Sequence, residues 1–263
     1  MHQSNFPSTY EGLMEVLGIL RGPGGCPWDK EQTHDSMKSS LLEECYELVE
    51  AIEKQDLSGL MEEVGDVILN AFFHINIAEE QMEFRREDMF GFLISKLVRR
   101  HPHVFSDVVV DGPEQVLKNW DELKSAERGG KGESMLESVP KVMPALSYAQ
   151  TIQRRAARVG FDWPEFDGVL DKITEEINEL RNADSLEKKR EEMGDLLFSI
   201  VNASRWLDLD AEDSLRSSNT KFFKRFAYME TIANARGVAL KEIPLGDKEM
   251  LWLEAKANIT DEN

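Results

Sequence analysis

Cysteine is nearly absent. Cys26 and Cys45 are the two in 263 residues, so no disulfide framework is expected. Basic residues are in deficit: 31 Lys and Arg stand against 50 Asp and Glu, a net charge of −19. Nucleic-acid polymers and anionic membranes both call for basic surface, so neither is expected as a partner. A nucleotide carried through metal ions is still allowed. Long apolar runs are missing too. The longest, around Val67–Ala78, is broken by Asn70, His74 and Asn76, too short and polar to span a bilayer. The opening MHQSNFPSTYEGL has no basic n-region or apolar h-region, so no signal peptide is expected. Alternating strands are lacking: VVVDG at 108–112 is β-branched, but short and followed by Pro113. These absences lead to the expectation of a reduced, cytoplasmic, all-α protein.

What the chain has is acid in a pattern. Glu175, Glu176 and Glu179 precede a short polar segment with Asn182, Asp184 and Ser185; Glu192 and Asp195 follow it. On helices, Glu176 and Glu179 share a face, and so do Glu192 and Asp195. A turn near Asp184 would fold the two helices antiparallel and bring four carboxylates into one cleft. Like charges that close repel. A hard divalent cation offsets the repulsion, and Mg²⁺ takes oxygen ligands while keeping waters for a phosphate-bearing substrate.

The pattern occurs twice. Glu43, Glu44 and Glu47 precede Glu63 and Asp66 in the same order, 132 residues before Glu175 at the first cluster and 129 before Asp195 at the second. Lys96 and Arg100 are spaced like Lys221 and Arg225, and Trp120 and Lys124 like Trp252 and Lys256. A period near 130 residues is that of a domain, not of a solenoid repeat. The organisation read from this is two tandem four-helix-type bundles related by internal duplication: 1–128, a linker at 129–144 centred on GGKGES, and 145–263.

Apolar periodicity and caps place helices at about 8–21, 36–54, 60–80, 87–100, 115–128, 145–158, 166–181, 186–207, 211–235 and 248–256. Asp35 or Ser36 is the expected cap of the second. Trp28 is expected to fold back on the core, Phe222, Phe223 and Phe226 to be core, and Met193 with Gly194 to allow close helix packing.

At this point the motifs resemble the MazG family of nucleoside triphosphate pyrophosphohydrolases, part of an all-α superfamily. GCPWDKEQTHDS, RRHPHVF, VGFDW, EEMGDLLF, KFFKRF and the Trp252 region extend the likeness to nearly the whole chain. The resemblance implies hydrolysis of a nucleoside triphosphate to monophosphate and pyrophosphate, Mg²⁺ dependence (Mn²⁺ can substitute), and a homodimer. It implies metal ligands at Glu176, Glu179, Glu192 and Asp195, and in the first half at Glu44, Glu47, Glu63 and Asp66. Glu175 is the candidate to orient or deprotonate water. Lys188 lies beside the metal face, and Lys221, Arg225 and Asn219 on the next helix suit a triphosphate. Trp252 has two readings, a platform on which any base stacks or a core or dimer contact. Leu57 is read as standing where the second half has Lys188, so the second half is the expected main site and the first a weaker or regulatory copy.

Three rivals stand beside this. A di-iron bundle needs Glu-x-x-His from two helices, and the chain has one, Glu31-x-x-His34, in a loop. A non-catalytic acidic interaction module has no need of the surrounding bases. A narrow-specificity nucleotide pyrophosphatase differs only in substrate range.

Overall fold

The computed structural model describes residues 6–113, 115–116, 119–120, 123 and 134–259. The chain divides into two compact units, Met1–Arg128 and Gly129–Asn263. Among the described residues both are helical and neither contains a strand.

The first unit opens with α1 (Tyr10–Arg21), whose Gly12 N–H donates to the Thr9 hydroxyl at 3.4 Å. A short α2 (Pro27–Glu31) leads to α3 (Lys38–Glu53) and α4 (Leu57–Glu80). The α3–α4 turn closes on Gln55, at φ 54°, and Asp56, whose carboxylate accepts from the Ser58 N–H at 3.0 Å. Helices α5 (Arg86–Arg100) and α6 (Pro102–Phe105) follow. The core gathers Met14 and Leu17 of α1, Met37, and Phe73 and Ile75 of α4. Arg21 ties α1 to the end of α4 through Glu80, at 2.7 Å. Packing therefore pins the C-terminal half of α4. The acidic half lies against α3.

The second unit has α7 (Ala145–Arg158), α8 (Phe166–Asn182), α9 (Leu186–Trp206), α10 (Ala211–Ala235), a 3₁₀ turn (Leu240–Glu242) and α11 (Leu245–Asn258). Gln150 is buried on α7 and does a backbone's work. Its amide donates to Leu209 O at 2.6 Å and accepts from Ala211 N–H at 3.0 Å, which holds the α9–α10 bend. Asp162 takes Arg205 and the Trp206 indole N–H at 3.0 Å, hooking the α7–α8 loop to the end of α9. A core of Met229, Leu251 and Ala255 joins α10 to α11, with Trp252 at its edge.

The helices sit within a few residues of their expected positions, with several local differences. The helix expected at 115–128, with Lys124, lies largely outside the described residues. Residues 135–144, expected as linker, belong to the second unit: Val139 is buried and Arg155 donates to Met135 O at 2.8 Å. Neither Asp35 nor Ser36 caps α3, whose N-cap is Met37 without a side-chain bond. Ser36 instead closes a turn with Thr33, and Asp35 pairs with Lys38. Trp28 is 63% exposed, held outward on α2. Phe222 and Phe223 are 58% and 73% exposed, and Phe226 is 39%. Phe222 stacks on Phe226 and touches the Trp252 ring at the edge of the α10–α11 core rather than inside it. A Cβ at Gly194 would meet nothing within 4 Å among the described residues, and Met193 is exposed, so the close packing expected there is not made on that face of α9.

Candidate active site

Each helical hairpin presents its acids on facing sides. On α8 and α9, oxygens of Glu176, Glu179 and Glu192 lie within 4.8 Å of one another. On α3 and α4 the same holds for Glu44, Glu63 and Asp66. Glu47 and Asp195 fall outside these tight triples but act on them. Glu47 is within hydrogen-bonding reach of Glu44, and Asp195 adds its field to Glu192.

Crowding registers in the titration of these groups. Burial, then the neighbouring Glu179, Glu191, Glu176 and Asp195, push the Glu192 carboxyl up. Burial, Asp66, Glu47 and Glu63 do the same to Glu44. Glu63 is raised by burial, Glu47, Glu62 and Asp66. The ionised cluster is held at a cost that a cation would offset.

Glu176 differs from the rest. It is 2% exposed. One oxygen accepts from Lys172 Nζ at 2.7 Å, while the other, Oε2, is buried without a hydrogen-bond partner. Buried polar atoms are nearly always satisfied, and an orphaned carboxylate oxygen beside two more carboxylates fits a hard cation. Glu175, the candidate to orient water, is exposed and held by the same Lys172 at 2.9 Å. Neither Lys172 nor Glu191 is among the residues expected from sequence; the available signal for the lysine is its place one turn before Glu176.

An open cavity of about 290 Å³ adjoins the second cluster, lined by Glu179, Asn182, Ala183, Lys188, Glu191 and Glu192. Lys188 stands at this rim as expected, pairing with Asp184 at 3.4 Å. Its backbone N–H donates to Ser185, the cap of α9. The corresponding place in the first hairpin, three residues after the cap Asp56, is Gly59 and not Leu57. The count of seven back from Asp66, as from Asp195 to Lys188, gives the same position.

Asn219, Lys221, Arg225 and Trp252 form a separate group on α10 and α11, and none of them lines that cavity. The Arg225 guanidinium lies 6.0 Å from the Trp252 ring centre, and Phe222 packs on the same ring at 5.3 Å. In the first unit Arg100 stands over Trp120 at 5.3 Å. The residues that correspond in sequence thus make the same contact in both units.

Neither acid triple contains a histidine or a thiol. All-oxygen donors suit Mg²⁺ or Mn²⁺ better than softer metals. Fold and site together define an all-α protein with a carboxylate cluster in each helical hairpin. The MazG nucleotide pyrophosphohydrolase domain matches residues 32–105. The nucleoside triphosphate pyrophosphohydrolase/pyrophosphatase MazG of Thermotoga maritima is 44% identical over 247 residues, covering 94% of this chain and 95% of that protein. The chain belongs to the MazG family. The nucleoside triphosphate pyrophosphohydrolase of Escherichia coli K12 is 40% identical over 256 residues, covering 95% of this chain and 97% of its own. A solved structure, a mazG-related protein from Thermotoga maritima, is 30% identical and covers 44% of this chain and 98% of its own at TM-score 0.39, too loose a superposition to bear on the fold. No helix among the described residues is long and apolar enough to cross a membrane.

Proposed function

We propose that this chain hydrolyses nucleoside triphosphates to monophosphate and pyrophosphate, chiefly at the α8–α9 cluster. Mg²⁺, with Mn²⁺ able to replace it, is held by Glu176, Glu179, Glu192 and Asp195. The observation that carries the reading is the buried, unpartnered Glu176 Oε2 in a converging carboxylate triple. Family membership supports the reaction, and the relatives' own names specify nucleoside triphosphates.

The divalent cation supplies Lewis acidity at phosphorus and a water of lowered pKa. The chain's own groups do the rest. Glu176 and Glu179 on one helix and Glu192 with Asp195 on the other hold the ligand set. Lys188 at the cavity rim neutralises phosphate oxygens. Lys221, Arg225 and Asn219 offer further donors from α10, and Glu175 orients water. Stacking on Trp252 would tolerate any base. Its packing on Phe222 and against the Met229 core supports the structural reading of that residue.

A second reading has its own support. The matched domain, residues 32–105, contains Glu44, Glu47, Glu63 and Asp66, so the first unit is a candidate site too. It has Ser40 and Gly59 where the second has Lys172 and Lys188, which favours weaker triphosphate binding there. The repeated Arg–Trp contact supports reading the units as duplicates.

The test is pyrophosphate release from a panel of NTPs and dNTPs with Mg²⁺, in wild type, Glu179→Gln and Glu47→Gln. Losing one ligand removes several kcal/mol of charge stabilisation, so Glu179→Gln should lower the rate roughly 100-fold. Glu47→Gln should retain most activity. The reverse result moves the chemistry to the first unit. No pyrophosphate from any nucleotide in wild type sinks the reading.

A further inference from the structure

Burying an ionised carboxylate is unfavourable unless a charge or donors compensate it. At Glu176 the compensation is one residue. Lys172 Nζ contacts Glu176 Oε1 at 2.7 Å and Glu175 Oε1 at 2.9 Å. It stands three and four residues before them, so one ammonium reaches both along the same helix face. The contact leaves Glu176 Oε2 unpartnered, with a Glu176 oxygen inside 4.8 Å of Glu179 and Glu192. The first unit has neither feature. Ser40 occupies the lysine's place, and Glu44 is only half-buried. The buried acid and the lysine occur together in one unit and are absent together from the other.

We propose that Lys172 is the resident counter-cation of the second cluster. It is a positioning residue that holds Glu176 and Glu175 in place while no metal is bound, and a divalent cation makes its charge largely redundant. This rests on the metal reading above. It also gives the two clusters different apo states: one carries its own cation, and the other has a serine, Ser40, at the corresponding position.

The experiment uses the full chain in a Glu63→Gln background, which weakens the first cluster. Thermal melts are compared with EDTA and with saturating Mn²⁺, and Mn²⁺ affinity is measured by electron paramagnetic resonance. Lys172→Met should lower the metal-free melting temperature by about 4 °C. Mn²⁺ should close most of that gap. By linkage, Mn²⁺ should then bind Lys172→Met roughly fivefold more tightly. Lys172→Arg should restore both values toward wild type. Lys54, which pairs with Glu50 at 2.6 Å on the open surface of α3, is the control, and Lys54→Met should move neither. A gap that Mn²⁺ leaves unchanged, or no gap without metal, overturns the proposal while leaving the metal site standing. No Mn²⁺ binding in the Lys172-containing chain overturns the metal reading itself, and the counter-cation role with it.

Discussion

Glu192 shows at single-residue scale how this site opposes its own fold. Burial and four acidic neighbours raise its pKa, above an unfolded value near about 4.3. Between the unfolded and folded values the folded chain holds more protons than the unfolded one. Stability from this group is therefore lost as pH rises through that window. Glu79 behaves oppositely. Its hydrogen bonds with Arg86 lower its pKa, so its contribution is present above the unfolded value and lost as pH falls through the folded one. Substituting Glu192 isolates one slope from the other. In EDTA, Glu192→Gln should melt higher than wild type at pH 7 by about 2–3 °C, and the advantage should shrink toward pH 4. With saturating Mg²⁺ the order should reverse at pH 7, since wild type then gains a ligand the variant lacks. Calorimetry at the two pH values checks both. An unchanged difference across pH would mean the neighbouring carboxylates do not act on Glu192.

At the scale of the element, most of the fold was legible because helices announce themselves by apolar period and by caps. Ser185 and Asp56 cap α9 and α4 through their own oxygens, and both turns were readable from polar clusters. The acid hairpins followed from spacing alone, because i,i+3 pairs must share a face. What was not legible depended on competition between local bonds or on packing. Ser36 had the right chemistry for a cap, but Thr33 took it into a tighter turn. The four-residue offset from Lys172 to Glu176 was visible, but nothing in the sequence said that Glu176 would be buried. Leu57 was matched to Lys188, but the seven-residue step back from Asp66 and the cap at Asp56 both put Gly59 there. The cap also carries a prediction. Ser185→Ala removes the acceptor for the Lys188 N–H, at 3.2 Å, and should cost about 1 kcal/mol. Because the same turn sets Lys188 at the cavity rim, KM for triphosphate should rise more than kcat falls. A melting shift without any change in KM would detach Lys188 from substrate.

At the scale of the molecule, the residues that defied the core expectation form a pattern. On α9, Leu186, Met193, Leu197 and Ile200 are all more than 40% exposed, and their spacing of seven, four and three puts them on one stripe. On α4, Leu57, Met61, Val64 and Ile68 are exposed at 79%, 75%, 40% and 42%, again on one stripe. Leu215, Phe222 and Phe226 repeat the motif on α10. Scattered exposed apolar residues need no explanation, but contiguous stripes do. The chain's charge of −19 would keep it soluble, yet it leaves these stripes uncharged. The homodimer that the family resemblance implies would cover them: a second copy brings the same stripes, and a two-fold axis makes a self-complementary surface. It would also cover Gly194, where an added Cβ meets nothing within 4 Å among the described residues. The chain, 30.0 kDa, should therefore sediment at about twice its own mass, as a two-fold pair requires. Leu197→Glu, a charge placed mid-stripe, should shift it to monomer or weaken association at least about tenfold, the effect of roughly 1.4 kcal/mol. Circular dichroism should show the helices kept, since Leu197 is 48% exposed in its own unit. A wild-type chain that sediments as a monomer at micromolar concentration would reject the second copy as occupant and leave the stripes to a different partner.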